Sequence, residues 1–206
     1  MRSLATAPAV SPAAVVAATV RPPENRRTFT PWQPGIVGYQ EQLNYLGSDR
    51  RVARELRELL RLGIEAEGPI HGERLAKFAA GAFCLQRVAP ARVHTILAVS
   101  PSRPDSSGFY WPSGVKPAEW LDYREDSRAQ RPLEHISEVE LANAMRELTI
   151  ASGGMDQEEL WSETLRVFGY KRRTPAFVAR LENGLRVAVQ LKRVSLGQHG
   201  LYQGTR

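Results

Sequence analysis

Apolar positions in the segment after Ser48 recur with the spacing of an amphipathic helix. The apolar face holds Val52, Leu56, Leu59 and Leu60. Ser48 can cap the first turn and Gly63 can end the last one, which together predict a helix between these two residues. The polar face carries a run of arginines, namely Arg50, Arg51, Arg54, Arg57 and Arg61. We interpret this face as solvated, with phosphate contact as the alternative.

Residues 68–97 align without a gap on residues 153–182, at a constant offset of 85 positions. The identical pairs are Gly68/Gly153, Glu73/Glu158, Leu75/Leu160, Phe83/Phe168, Arg87/Arg172, Pro90/Pro175, Ala91/Ala176 and Val93/Val178. An internal repeat of this kind indicates that the chain contains two copies of one small folding unit.

Each copy has the pattern of a helix, a turn and a second helix. The first helix carries a leucine and a phenylalanine, Leu75 and Phe83 in copy one, and a short polar and basic turn follows. Pro90 and Pro175 then open the second helix, because proline at the first helical position loses no needed donor and has a suitable φ. Thr174 stands at the cap position in copy two. This arrangement predicts a helix-turn-helix in each copy.

A further helix precedes each copy. Before copy two, Ser137 and Glu140 form a capping-box pattern. After copy one, residues 108–112 read Gly-Phe-Tyr-Trp-Pro, a short aromatic strand suited to a β wing. No comparable wing is evident in the sequence from Arg186 to Arg206. The predicted fold class is mainly α, with tandem winged-helix-like (helix-turn-helix) units and short β wings.

Shifts in composition divide the chain into four segments. Residues 1–36 are rich in Ala, Pro, Ser and Thr and lack periodicity, so we expect a disordered or linker N-terminus. Residues 37–112 form the first predicted unit, and residues 136–206 form the second. Residues 113–135 have no clear period and are predicted to be a linker that packs partly through its aromatic side chains.

The charge balance favours a polyanionic partner. Lys and Arg number 28 against 22 Asp and Glu, which gives a formal net charge of +6 and a pI near 9.8. We therefore expect an accessory module that binds DNA and has no catalytic activity, with RNA as an alternative ligand.

The residues around the start of the second helix are the candidates for this contact. In helix-turn-helix proteins the N-terminal residues of that helix read base edges, while nearby basic side chains hold phosphates. The candidates are Arg87, Arg92, His94, Lys171, Arg172, Arg173 and Arg180. The basic run at 171–173 leads this set. The alternative is a protein-interaction module that docks a helicase or nuclease partner, with the leucine-bearing helix faces and Trp111 or Trp120 as anchors.

The sequence predicts neither a metal site nor a cofactor. The histidines have no ligand-like spacing; they are His71, His94, His135 and His199. Cys84 is the single cysteine and lies between apolar neighbours, where a thiol is usually inert. A lone cysteine fits a reducing cytoplasm, and the apolar run 13–20 is too short to span a bilayer, so we expect no membrane partner.

Enzymatic activity is not expected, because the sequence contains neither a phosphate-binding loop nor a nucleophile elbow. A third interpretation is a nuclease in which Asp105 acts with Lys192, on a strand that includes Val187 and Val189 and runs through Gln190. Metal-dependent hydrolysis needs clustered carboxylates, which this spacing does not offer.

Several sequence blocks carry a family resemblance. They are Glu67-Gly68-Pro69-Ile70-His71, Arg87-Val88, Gly108-Phe109-Tyr110-Trp111-Pro112 and Phe168-Gly169-Tyr170-Lys171-Arg172-Arg173-Thr174. Residues 30–185 resemble the uncharacterised C-terminal segment of large bacterial superfamily I helicase-like proteins, which follows their ATPase core and nuclease-like domain. The resemblance implies a role in, or detachment from, a DNA-processing helicase. It implies no catalytic residues, because the family's ATPase motifs lie outside the similar segment.

Overall fold

Residues 25–205 are described in a computed structural model and are mainly helical, as predicted. The helices are α1 (Arg50–Glu67), α2 (Gly72–Ala82), α3 (Pro90–Leu97), α4 (Glu138–Ser152), α5 (Gln157–Val167) and α6 (Pro175–Gln190). The strands are β1 (Arg26–Thr28), β2 (Ile70–His71), β3 (Phe109–Tyr110), β4 (Tyr123–Glu125), β5 (Val194–Leu196) and β6 (Tyr202–Gly204). Short 3-10 helices cover Gln40–Tyr45, Leu133–His135 and Gln198–Gly200. The predicted linker before Asn25 lies outside the described residues.

Helix α1 buries the predicted apolar face, but both of its predicted ends are wrong. Asp49, rather than Ser48, caps the first turn by accepting hydrogen bonds from the backbone N–H of Arg51 (2.8 Å). The helix continues through Gly63 to Glu67. Gly63 is buried beneath Trp32, and a Cβ there would lie 2.5 Å from the indole ring. This glycine therefore permits close packing and does not end the helix.

The sequence repeat is also a repeat of structure. Helices α2 and α5 begin and end at positions that correspond through the offset of 85, and α3 and α6 both begin at the repeated proline. Phe83 and Phe168 follow α2 and α5, and both side chains are fully buried. The predicted cap is confirmed in copy two, where Thr174 Oγ1 accepts from the backbone N–H of Phe177 (3.3 Å).

Short strands flank the helices of each copy. In copy one, β2 pairs antiparallel with β3, so that Ile70 lies opposite Tyr110. In copy two, β5 and β6 form an antiparallel hairpin, and Met155 forms a bridge to Tyr202. Met155 is the counterpart of Ile70 in the repeat. A β-hairpin thus follows α6, in a segment where the sequence gave no evident strand pattern, because its strands are only three residues long.

Each copy has its own hydrophobic core. The first core lies between α1, α2 and α3, around residues such as Leu56, Leu75 and Phe83. The second lies between α4, α5 and α6, around residues such as Leu141 and Phe168. We refer below to the first unit, the second unit, and the bridge (residues 113–135) between them.

Residues 25–36, expected to be linker or disordered, are packed against the protein. Strand β1 pairs in parallel with β4 of the bridge, with Arg26 opposite Tyr123. Phe29 is buried, and Trp32 packs on the first core. The sequence did not indicate this pairing because a three-residue strand has no measurable period.

A buried ion-pair cluster fixes the bridge to the second unit. Arg131 and Glu140 are 1% and 0% exposed, and Arg131 also lies 4.1 Å from the ring centroid of Phe29. Burial alone would raise the pKa of Glu140, but the charges of Arg124 and Arg131 lower it below its ordinary value. Burial lowers the pKa of Arg131.

Arg124 links the same cluster to the first unit. Its guanidinium donates to Glu140 Oε2 (2.7 Å), to the carbonyl oxygen of Pro69 (3.0 Å) and to the carbonyl oxygen of Glu67. Arg74 on α2 pairs with the Glu67 carboxylate and donates to the carbonyl oxygen of Gln130. The predicted linker 113–135 is thus an ordered junction between the two units.

Candidate nucleic-acid interface

The turn between α5 and α6 is held against the bridge. Gly169 has a left-handed φ of 82°, and a Cβ there would lie 2.3 Å from the carbonyl oxygen of Asp126, so only glycine fits. The next residue, Tyr170, donates its hydroxyl to the carbonyl oxygen of Arg131 (2.5 Å). Burial raises the pKa of Tyr170 to about 12, so this donor stays protonated at neutral pH. These contacts therefore fix the position of the residues that follow the turn.

The three basic residues at this turn are all exposed, but they differ in their contacts. Arg173 forms an ion pair with Glu158 and lies 5.8 Å from the ring centroid of Trp161. Within residues 25–205, neither Lys171 nor Arg172 has an ion pair or a side-chain hydrogen bond. Two of the three predicted phosphate contacts are therefore available to a ligand.

The corresponding turn of the first unit carries Arg87, which the repeat aligns with Arg172. Arg87 is exposed and has no charged or hydrogen-bonded partner in the described part of the chain. His94 is also exposed, on the surface of α3. Arg92 instead donates to the carbonyl oxygen of Leu43 (2.8 Å) and to Asn44 Oδ1 (2.6 Å). Arg92 thus fastens α3 to the 3-10 helix before α1.

Arg180 on α6 was predicted to contact nucleic acid, but its guanidinium is bonded within the protein. Its guanidinium pairs with Glu138 and donates to the carbonyl oxygen of Ile136. It also lies 5.8 Å from the ring centroid of Phe109 in the first unit, and only 16% of its side chain is exposed. We therefore do not count Arg180 among the groups available to an external anion.

Two further basic residues outside the predicted contact set are exposed in the second unit. Arg186 lies on α6, and Lys192 follows its end. Helix α6 runs to Gln190, whereas its counterpart α3 ends at Leu97, so the repeat gives no equivalent for these positions.

The structure contradicts the strand of the nuclease interpretation. Val187, Val189 and Gln190 lie in helix α6, not in a strand. The Asp105 carboxylate accepts from the backbone N–H groups of Ser107 and Phe109 (both 2.9 Å) and from the indole N–H of Trp111 (2.8 Å). The Asp105 carboxylate therefore stabilises the loop to which it belongs.

Three potential metal ligands come together at the junction, although their sequence spacing did not indicate it. Ligand atoms of His71, Glu73 and His135 all lie within 4.8 Å of one another. His71 and Glu73 also line a cleft of about 620 Å³ beside α3, together with His94. Sequence spacing missed the group because His135 belongs to the bridge. Cys84 is exposed, contrary to the apolar setting suggested by its neighbours.

No family model, curated protein or solved structure matches the chain. The resemblance to helicase-associated segments therefore stays a prediction. Among the helices of residues 25–205, none has both the length and the apolar character needed to cross a bilayer.

Proposed function

We propose that the chain is an accessory nucleic-acid-binding module built from two winged-helix-like units, in which the basic turn before α6 contacts phosphates. The order of elements in the second unit supports the winged-helix part of this proposal. Helix α4 is followed by the bridging residue Met155, then by α5 and α6, and finally by the β5–β6 hairpin. This is the order in which a winged-helix unit places its helices and its wing.

The observation that carries the proposal is the matched position of Arg87 and Arg172. Both are exposed, both lack a partner within the described residues, and both precede the helix that would enter the major groove. Lys171, which also has no charged partner among residues 25–205, adds a second cation beside Arg172. The N-terminus of α6 also carries partial positive charge, which favours an anion at the same place.

Binding in this proposal is dominated by phosphate contacts and is therefore sensitive to salt. Lys171, Arg172 and Arg87 provide the first contacts, and Arg173 and His94 are exposed on the same two turn-helix elements. DNA is the proposed ligand and RNA the second choice. The proposed context is a role in, or detachment from, a helicase-like protein in the cytoplasm, with no catalysis by the module itself.

The protein-docking alternative receives less support from its predicted anchors. Trp111 and Trp120 contact each other edge to face, with ring centroids 5.4 Å apart. The indole N–H of Trp111 is bonded to Asp105, and Arg124 lies 6.0 Å from the ring of Trp120. These side chains are thus used within the chain.

The test is fluorescence anisotropy of a labelled DNA duplex across a salt series, with the whole chain. We expect Kd to rise steeply with salt, and the Lys171→Ala/Arg172→Ala variant to lower the slope of log K against log salt by about 2. The matched control is Arg27→Ala/Lys116→Ala. It removes the same charge from two exposed residues already paired with Asp122 and Glu119.

Either of two results would contradict the proposal. One is the absence of binding at low salt, which would favour the protein-docking module. The other is an equal loss of affinity in the test and control variants, which would show a nonspecific response to net charge.

A further inference from the structure

His71, Glu73 and His135 meet where the first unit touches the bridge. His71 ends β2 and caps α2, since its Nδ1 accepts from the backbone N–H of Glu73 (3.4 Å). Glu73 lies in the first turn of α2. His135 ends the 3-10 helix that leads into α4. The two sides of this junction thus each supply an imidazole.

His135 is buried without a hydrogen-bonded partner in the described part of the chain. Its side chain is only 8% exposed, and Glu73 Oε2 lies 3.8 Å from its Nε2. Its ring stacks on that of His71, with centroids 4.4 Å apart and an interplanar angle of 13°. Among residues 25–205, His71 Nε2 and the ring nitrogens of His135 have no hydrogen-bond partner, so they can serve as ligand atoms.

We propose that His71, Glu73 and His135 bind one divalent transition-metal ion of the Zn²⁺ type. Two imidazoles and one carboxylate are the donor set of open zinc sites, in which a fourth position is left to water or another ligand. Two of the three ligands, His71 and Glu73, line the cleft beside α3. The proposal is independent of nucleic-acid binding.

Coordination requires a small rearrangement of the side chains. Tetrahedral zinc ligands lie about 3.4 Å apart, given metal–ligand distances near 2.1 Å, and the present atoms are separated by at most 4.8 Å. A metal ion lies in the plane of each imidazole that binds it, so one ring must turn out of the stack. His71 borders the cleft, and turning its ring would break its cap on α2 and its edge contact with Phe109. The bound ion would join the first unit to the bridge and hold the two units in one arrangement.

The test is titration of the whole chain, without a polyhistidine tag, with Zn²⁺ by calorimetry and with Co²⁺ by visible absorption. We expect one ion per chain, a Kd of about 1 µM or tighter and the absorption bands of tetrahedral Co²⁺. His71→Ala, Glu73→Gln and His135→Phe should each weaken binding by about tenfold or more. The phenylalanine keeps a ring in the stack, so this variant should remain folded.

The matched control is His199→Ala, which removes an exposed histidine that is not part of the group. It should bind Zn²⁺ as the unchanged chain does. Zn²⁺ should also raise the melting temperature of the unchanged chain and of the control but not of His135→Phe. The proposal is overturned if the unchanged chain does not bind Zn²⁺, or if the three ligand variants bind as tightly as the control.

Discussion

Arg131 and Glu140 form a two-pronged ion pair in the protein interior, with Arg131 Nη1 at 3.0 Å and 2.9 Å from the two carboxylate oxygens. Neither side chain is accessible to more than 1%. Removing one partner would leave the other charge buried and unpaired. The pair is therefore needed for the native arrangement of the bridge even if its net contribution to stability is small.

Glu140→Gln should lower the free energy of unfolding by about 3–5 kcal/mol, because Arg124 and Arg131 lose their shared anion. Urea denaturation followed by circular dichroism measures this loss. Glu158→Gln is the control, since Glu158 is exposed and pairs only with Arg173 at the surface; its effect should stay below about 1 kcal/mol. Similar losses in the two variants would contradict the central role of Glu140.

Gly169→Ala should destabilise the protein strongly, because the new Cβ would meet the backbone of the bridge as well as an unfavourable φ. We expect a loss above about 3 kcal/mol, measured by urea denaturation. Gly153→Ala has a similar φ of 76° and open space around the added Cβ, so it should cost only about 1 kcal/mol. Equal costs would mean that the bridge does not constrain the turn.

Arg180→Ala should lower the melting temperature without changing the salt dependence of DNA binding. Its guanidinium is used by Glu138 and Ile136, so its loss leaves protein acceptors unpaired and removes no phosphate contact. The measurement is thermal denaturation beside the anisotropy series. A slope reduced by about 1 would instead identify Arg180 as a phosphate ligand.

Stability should fall as the pH is lowered from about 6.5 toward 4, in the absence of metal. The folded-state pKa of His135 is about 4, below the ordinary value of 6.5, so the unfolded chain binds a proton more readily across this range. The stabilisation of the neutral form is complete above pH 6.5 and is lost as the pH falls. His71 acts in the same direction because its pKa is also lowered.

Melting temperatures recorded across this pH range test that expectation. His135→Phe cannot titrate at this position and should flatten part of the profile. Glu140 contributes at lower pH, since its lowered pKa means that its stabilisation is lost only below its ordinary value of 4.5. A profile that is the same in the unchanged chain and in His135→Phe would exclude His135 as a source of this dependence.

Local signals in the sequence were sufficient to predict where helices α3 and α6 of the repeat begin. Pro90, Pro175 and Thr174 act within one turn of their own helix, so their effect can be deduced without knowledge of the fold. The same holds for Ser137, whose hydroxyl accepts from the backbone N–H of Glu140 (3.1 Å). Propensity and capping determine these starts.

The junction could not be deduced in the same way. The carboxylate of Glu140, assigned by its spacing to a capping box, is instead bonded to two arginines of the bridge. His135 has no neighbour in sequence that would indicate its contact with His71. These partners lie far apart along the chain, and only the packing of the two units brings them together. The candidate phosphate contacts could be predicted in part. The position of the basic residues before α6 followed from the sequence, but the bonding of Arg92 and Arg180 within the protein did not.

The parallel pairing of β1 with β4 has a consequence for the order of assembly during synthesis. Thr28 leaves the ribosome before any of the first unit, yet its partner Glu125 is made only after that unit is complete. Helices α1 to α3 can therefore pack while the N-terminal strand still has an unpaired edge. Strand β1 therefore pairs with β4 only after the first unit has been completed. We expect its amide protons to exchange sooner than those of either core, because the strand is only three residues long and is exposed.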